Sequence, residues 1–371
     1  MTMSDFPPGL VLIIGAFLLP IIGQRLRPML TLGLPLLTLY LVWSLPNGTF
    51  STLSLLDYNL AFVQSDSISR LFATVFSIMT FGGSLFALKQ KRVLELVSVF
   101  VYAGSAIGVV FAGDLISLFI FWEIMAVAST VVVLSAGGKR SYQISMRYFF
   151  VHVFGGTLLL IGILSHIVDT GSTAFTAMEP NTFGTIFILM GFLINAAAPP
   201  LSAWLSDAYP EASFSGAVFL SAFTTKAAVY VLLRGFPGTE VLIFIGVFMI
   251  FYGIIYALLE NDMRRILAYS IVNQVGFMVT GVGIGTEMAL NGVAAHAFTH
   301  IIYKGLLLMS AGSVLYMTGR RKCTDLGGLF QSMPLTAFCS IIGALSISSF
   351  PLTSGFISKS MISQAAADES L

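Results

Sequence analysis

Charge is what this sequence has least of. Lys, Arg, Asp and Glu make up 9% of its 371 residues against 57% hydrophobic, and the mean hydropathy is +0.93. Soluble globular domains carry about 25% charged residues, so a water-facing surface of that kind is excluded. Cysteine is nearly absent: Cys323 lies in a basic loop and Cys339 in an apolar run, a pair with neither metal-ligand spacing nor a disulfide framework. A net charge of +1 argues neither for nucleic acid nor for a strongly charged membrane-surface patch. Gly281, Gly283 and Gly285 close an apolar span with no strand before them, so they form no nucleotide-binding turn, and no flavin, nicotinamide or quinone motif appears. Neither cofactor nor metal is expected. The leading MTMSDF lacks the basic start of a cleavable signal, so the first apolar run is read as a retained helix.

Long apolar runs are what remain. Stretches of spanning length fall at about 7–24, 28–45, 66–88, 93–112, 114–135, 144–168, 183–205, 214–234, 240–259, 266–285, 288–317 and 333–362. The expected fold is an all-α polytopic membrane protein of about twelve transmembrane helices. Basic residues follow the odd-numbered crossings: Arg25 and Arg27, Lys89, Lys91 and Arg92, Lys139 and Arg140, Arg264 and Arg265, and Arg320 to Lys322. The opposite loops carry mainly Asp57, Asp66, Asp114, Asp169, Glu179, Glu240 and Glu287. Short cytoplasmic loops are enriched in Lys and Arg, which places the N-terminus outside. The seventh loop, with Asp207 and Glu211 and no base, is the exception.

Two crossings are interrupted alike, the seventh by Asn195 to Trp204 with Pro199 and Pro200, the twelfth by Ser348 to Phe356 with Pro351 and Gly355. Broken helices at membrane depth persist where they line a cavity or are buried in protein. The stretch 147–162 in the sixth crossing also resembles 296–312 in the eleventh. Both matches are five crossings apart, an odd number, so the expectation is an inverted five-helix repeat of the kind transporters use. The divisions expected are 1–92 with helices 1 to 3, 93–236 as the first repeat with helices 4 to 8, and 237–371 as an incomplete second repeat with helices 9 to 12.

Of the eighteen Lys and Arg, only Lys226, Lys304 and Lys359 sit well inside apolar runs, and of the seventeen acids only Glu123 does. His296, His300 and Lys304 recur every four residues and so share one helix face. A Lys at the centre of a spanning helix costs about 2.5 to 3.5 kcal/mol, and such groups mark ion pathways. The competing readings are a helix-packing stripe for the three, a static ion pair for Glu123 and Lys226, and a snorkelling side chain for Lys359. His152 either bridges helices or joins a relay. A zinc-protease motif is excluded because Ala297 stands where it needs Glu.

These residues resemble the antiporter-like subunits of respiratory complex I and, more closely, the D subunit of the multi-subunit Mrp-type sodium/proton antiporters. The resemblance rests on FWEIMAVAST around Glu123, PPLSAWLSDAYPEA after the seventh-helix break, LSAFTTKAAVYVLLR around Lys226, 260–278, HAFTHIIYKGLLLMSAGSV and FPLTSGFISK ending at Lys359. It implies that Glu123 modulates a lysine, that Lys226 links two half-channels, that His296, His300 and Lys304 form the central relay, and that Lys359 serves the exit. Two departures stand out. Asn195 occupies the place of the usual seventh-helix lysine, so Glu123 either pairs with another cation, Lys226 being the candidate, or acts alone, and Ser202 stands where His is common. The family also continues for further helices, so the chain reads as truncated at its C-terminus.

The function implied is a proton-conducting subunit of a monovalent cation (sodium)/proton antiporter in the bacterial inner membrane, assembled with other membrane subunits. A pumping subunit of a complex I type NADH:quinone oxidoreductase is the alternative, with redox chemistry elsewhere. A non-transporting scaffold is the third reading. An intramembrane hydrolase is disfavoured for want of a nucleophile and base in apposed helices.

Overall fold

The computed structural model describes residues 6–55 and 58–370, so Asp57 lies outside the described residues. The chain opens with α1 (Pro8–Leu18) and α2 (Arg27–Ser44), then turns through a hairpin of β1 (Gly48–Leu55) and β2 (Tyr58–Ser65). The first long bundle is α3 (Ser67–Phe86), α4 (Val93–Phe111), α5 (Leu115–Leu134) and α6 (Lys139–Thr170). The stretch expected as the seventh crossing is α7 (Phe183–Asn195) followed by α8 (Ala203–Glu211), and that expected as the eighth is α9 (Gly216–Ala222) followed by α10 (Thr224–Gly235). Then come α11 (Val241–Leu259), α12 (Met263–Ile284), α13 (Glu287–Thr318), a short α14 (Leu329–Ser332), and the twelfth crossing as α15 (Pro334–Ile347) and α16 (Ser354–Asp368). Among the described residues, eight helical segments are long and apolar enough to span a bilayer, and the chain is a polytopic membrane protein.

Helix starts follow local chemistry. Asp66 caps α3 in a reciprocal box with Ser69, Asp114 caps α5 through the Ser117 amide, and Asp262 caps α12. Helices approach through glycine where a side chain would collide: a Cβ at Gly104 would overlap the Gly9 carbonyl, so α1 lies directly on α4. The α6 and α13 helices, whose sequences resemble each other, are both 32 residues long.

Both expected interruptions are present, between Asn195 and Ala203 and between Ile347 and Ser354. Three features depart from the sequence reading. The chain is not wholly helical, because 48–65 pairs as an antiparallel hairpin with Gly48 opposite Ser65. Its inner strand is tied to the bundle where the Ala61 amide donates to Asp114 Oδ2 at 2.8 Å. The eighth crossing is also broken, at Phe223, without proline or glycine. Finally, the acidic seventh loop meets the basic loops: Glu211 pairs with Arg140 and Arg321, and Asp207 with Arg147 and Arg265. Its charge, an exception by sequence, neutralises its neighbours.

Candidate functional site

On α13, His296, His300 and Lys304 are all fully buried along one face. Their rings and amine are met by α12 and α16. His296 Nδ1 is hydrogen-bonded to Ser358 Oγ at 2.9 Å, and the His296 and His300 rings lie 5.9 Å apart. Lys304 Nζ donates to the Leu267 carbonyl at 3.3 Å and to Ser270 Oγ. His300 has neither ring nitrogen hydrogen-bonded, and His296 Nε2 is likewise free. Buried polar atoms are nearly always paired, so this run of unpaired ring nitrogens stands out from ordinary packing.

Lys359 joins this cluster rather than snorkelling to the surface. Its ammonium lies 5.3 Å from the Phe277 ring centroid and donates to the Ile347 carbonyl at 2.8 Å. Ile347 ends α15, so the break supplies the acceptor. The same device holds Lys226. Its Nζ donates to Ser221 O at 2.8 Å, beside the break in the eighth crossing, and to Thr225 Oγ1 at 3.0 Å. Lys226 lies within electrostatic range of His296, His300 and Lys304, so the fold gathers Lys226 and the α13 stripe into one buried group, with the half-buried Lys359 at its edge.

Glu123 is elsewhere. The expected pairing with Lys226 is not found: Lys226 spends its hydrogen bonds on the α9–α10 break, and Glu123 has no ion-pair partner among the described residues. The carboxylate lies against Gly156 of α6, with Oε1 buried and unpaired. One turn before Gly156, His152 stacks on Tyr148 at 4.0 Å and leaves Nε2 unpaired. Tyr148 donates to Ser129 at 3.0 Å and lies beside Thr224, which also meets the Tyr102 hydroxyl at 2.6 Å. Thr224 adjoins Thr225, the hydroxyl on Lys226. Contacts through Tyr148, Thr224 and Thr225 thus connect α6 to Lys226. Asn195, the last residue of α7, is fully buried with both amide atoms unpaired.

A Cβ at Gly156 would overlap Glu123 Oε1. Gly156→Ala is therefore expected to push the carboxylate aside and to cut transport by roughly tenfold, while the helix itself gains about 1 kcal/mol of propensity. Unchanged membrane abundance on immunoblots, with reduced proton flux in vesicles, checks this.

Residues 112–371 match the family described as NADH:quinone oxidoreductase/Mrp antiporter, TM. The chain belongs to this family. It is 32% identical over 273 residues to the D subunit of the Na(+)/H(+) antiporter of Alkalihalophilus pseudofirmus, covering 68% of this chain and 55% of that one. It is also 32% identical over 274 residues to the N subunit of the NADH-quinone oxidoreductase of Desulforudis audaxviator, covering 68% and 54%. The chain spans about half the length of the curated relatives it matches. Among solved structures, the membrane-bound sulfane sulfur reductase, an archaeal respiratory membrane complex, superposes with a TM-score of 0.90 at 24% identity, covering 99% of this chain and 82% of that one. The Mrp complex from Dietzia sp. DQ12-45-1b gives 0.86 at 23% identity, covering 100% and 76%. These two likenesses establish a shared fold.

In this member of the family, sequence reasoning overlooks several polar side chains that the fold buries. Glu95, close to a helix start, looks interfacial but is 1% exposed. It accepts hydrogen bonds from Ser213 and Ser215 at 2.6 Å each and from Gln90 at 3.0 Å. Arg264 is 3% exposed and holds the same loop by donating to the Ala212 and Ser213 carbonyls at 2.9 and 2.8 Å. Together they clamp the start of α9 from α4 and α12. Ser270, Ser358, Thr225 and Tyr148 carry no signal by themselves, being uncharged and common in apolar helices.

Proposed function

We propose that the protein is a proton-conducting membrane subunit of a multi-subunit monovalent cation/proton antiporter. The observation that carries this reading is the buried group of Lys226, His296, His300 and Lys304 with the half-buried Lys359 beside it, and no carboxylate is hydrogen-bonded or ion-paired to any of them among the described residues. Like charges at close range couple, so a proton on one group disfavours a proton on the next. A chain of such groups moves charge when any member is perturbed, without bond chemistry. Glu123, reached through His152 and Tyr148, acts as the switchable charge of the first half. The interrupted helices supply the carbonyls that hold Lys226 and Lys359, and the same breaks admit water. The inverted repeat, with 93–236 and 237–371 as its halves, is part of this proposal, as are the cytoplasmic position of the basic loops and assembly with other membrane subunits in a bacterial inner membrane.

Sodium is the first coupling ion to test, since one relative is called a Na(+)/H(+) antiporter subunit. The second reading, a pumping subunit of a respiratory complex, is favoured by the equal identity to an NADH-quinone oxidoreductase subunit. ΔpH relaxation in inverted vesicles, with the chain expressed beside its neighbouring genes and sodium, potassium or lithium added in turn, separates them. Cation-triggered proton movement supports the antiporter. Silence towards every cation in an assembled complex moves the assignment to the redox-coupled subunit or to a non-transporting scaffold.

A further inference from the structure

On the face that carries the basic loops, a cavity of about 490 Å³ opens between the start of α2 and the ends of α3 and α13. Its charged lining is Arg27, Lys89 and Lys91, with no carboxylate. Lys89 and Lys91 are exposed. Neither makes an ion pair or a side-chain hydrogen bond among the described residues. Arg27 is anchored by donating to the Leu19 and Ile22 carbonyls at 3.2 and 3.3 Å, which holds its guanidinium at the rim. On the inner wall, Ser84 is 2% exposed and its hydroxyl has no partner. The other buried hydroxyls of α3 are all partnered: Ser77 and Thr80 donate back to their own helix and Ser69 to the Asp66 carbonyl. A second, mostly apolar groove of about 450 Å³ continues from this cavity, sharing Lys89 and Tyr316 and walled by Phe86, Phe214 and Leu335.

We propose that the cavity binds the phosphate group of an anionic phospholipid. Three cations with no opposing acid select an anion, and a phosphate presents several acceptor oxygens to ammonium, guanidinium and hydroxyl donors at once. The site lies at the ends of helices, at the depth of lipid headgroups, where basic pockets between spanning helices capture such groups. A free phosphate offers the same chemistry but leaves the adjoining groove unused. The groove's aromatic and aliphatic walls fit an acyl chain, and its continuity with the cationic cavity assigns the lipid rather than the soluble ion. Gln90 lines the cavity and donates to Glu95, so the headgroup sits beside the clamp on α9.

Purified protein in detergent, stripped of lipid, is titrated with dioleoylphosphatidylglycerol or dioleoylphosphatidylcholine and read by native mass spectrometry. In a further arm, millimolar inorganic phosphate competes. One phosphatidylglycerol is expected to bind saturably, with phosphatidylcholine not retained. Lys89→Gln with Lys91→Gln is expected to weaken binding roughly thirtyfold. Both side chains are exposed and unpaired, so the fold is unaffected. Arg320→Gln, which removes an exposed cation elsewhere on the same face, should leave binding unchanged. Undiminished binding by the double variant, or an equal loss in Arg320→Gln, overturns the site. Displacement of the lipid by inorganic phosphate overturns the lipid assignment in favour of a soluble anion.

Discussion

Replacing Lys226 by alanine is expected to bring cation-driven proton flux down to the background of vesicles that lack the chain. Lys226 is the only member of the buried cationic group that belongs to the first half of the bundle, and it holds its place by capping the α9–α10 break. Its removal disconnects the α13 stripe from the hydroxyls that lead to Tyr148 and Glu123. Abundance has to be separated from function. Two hydrogen bonds disappear, worth about 1.5 to 3 kcal/mol each with a charged donor, but the cost of holding a lysine in the membrane, about 2.5 to 3.5 kcal/mol, disappears too. The hydrogen bonds sum to about 3 to 6 kcal/mol against that cost, so Lys226→Ala should assemble at somewhat reduced abundance. Flux measured per assembled complex makes the comparison, and full activity in this variant sinks the relay.

Glu123→Gln is expected to have an effect almost as large. The substitution keeps the shape that fits against Gly156 and removes only the ability to change charge. A carboxylate serving as a packing element would tolerate it. A carboxylate that gains and loses a proton would not, and flux should fall to near background. Asn195→Ala supplies the contrast. The amide is equally buried, but it takes up no proton at physiological pH, so its loss should produce a milder decline. Equal effects from the two variants would mean that both residues act by shaping the α5–α6–α7 junction.

Much of the site is legible in the sequence because the membrane makes charge conspicuous. In an apolar helix a lysine or glutamate stands out, and the four-residue spacing of His296, His300 and Lys304 already places them on one face. The helix breaks at 195–203 and 347–354 are equally plain, since proline and glycine announce them. The break at Phe223 is not, because Ser221, Thr224 and Thr225 are compatible with continuous helix. Glu95 escapes notice for a related reason: near a helix start a carboxylate looks solvated, and the serine loop that covers it arrives from more than a hundred residues away.

Composition and spacing alone determined that the chain spans a membrane, which titratable groups lie inside it, and how each is phased on its own helix. Tertiary packing decided which of those groups meet. The break in the eighth crossing gives Lys226 a carbonyl to cap and places it within range of the α13 histidines, while Gly156 leaves room for Glu123 against α6. The pairing expected between Glu123 and Lys226 failed because partnership inside a bilayer depends on which helices are neighbours. Helix periodicity carries no information about that.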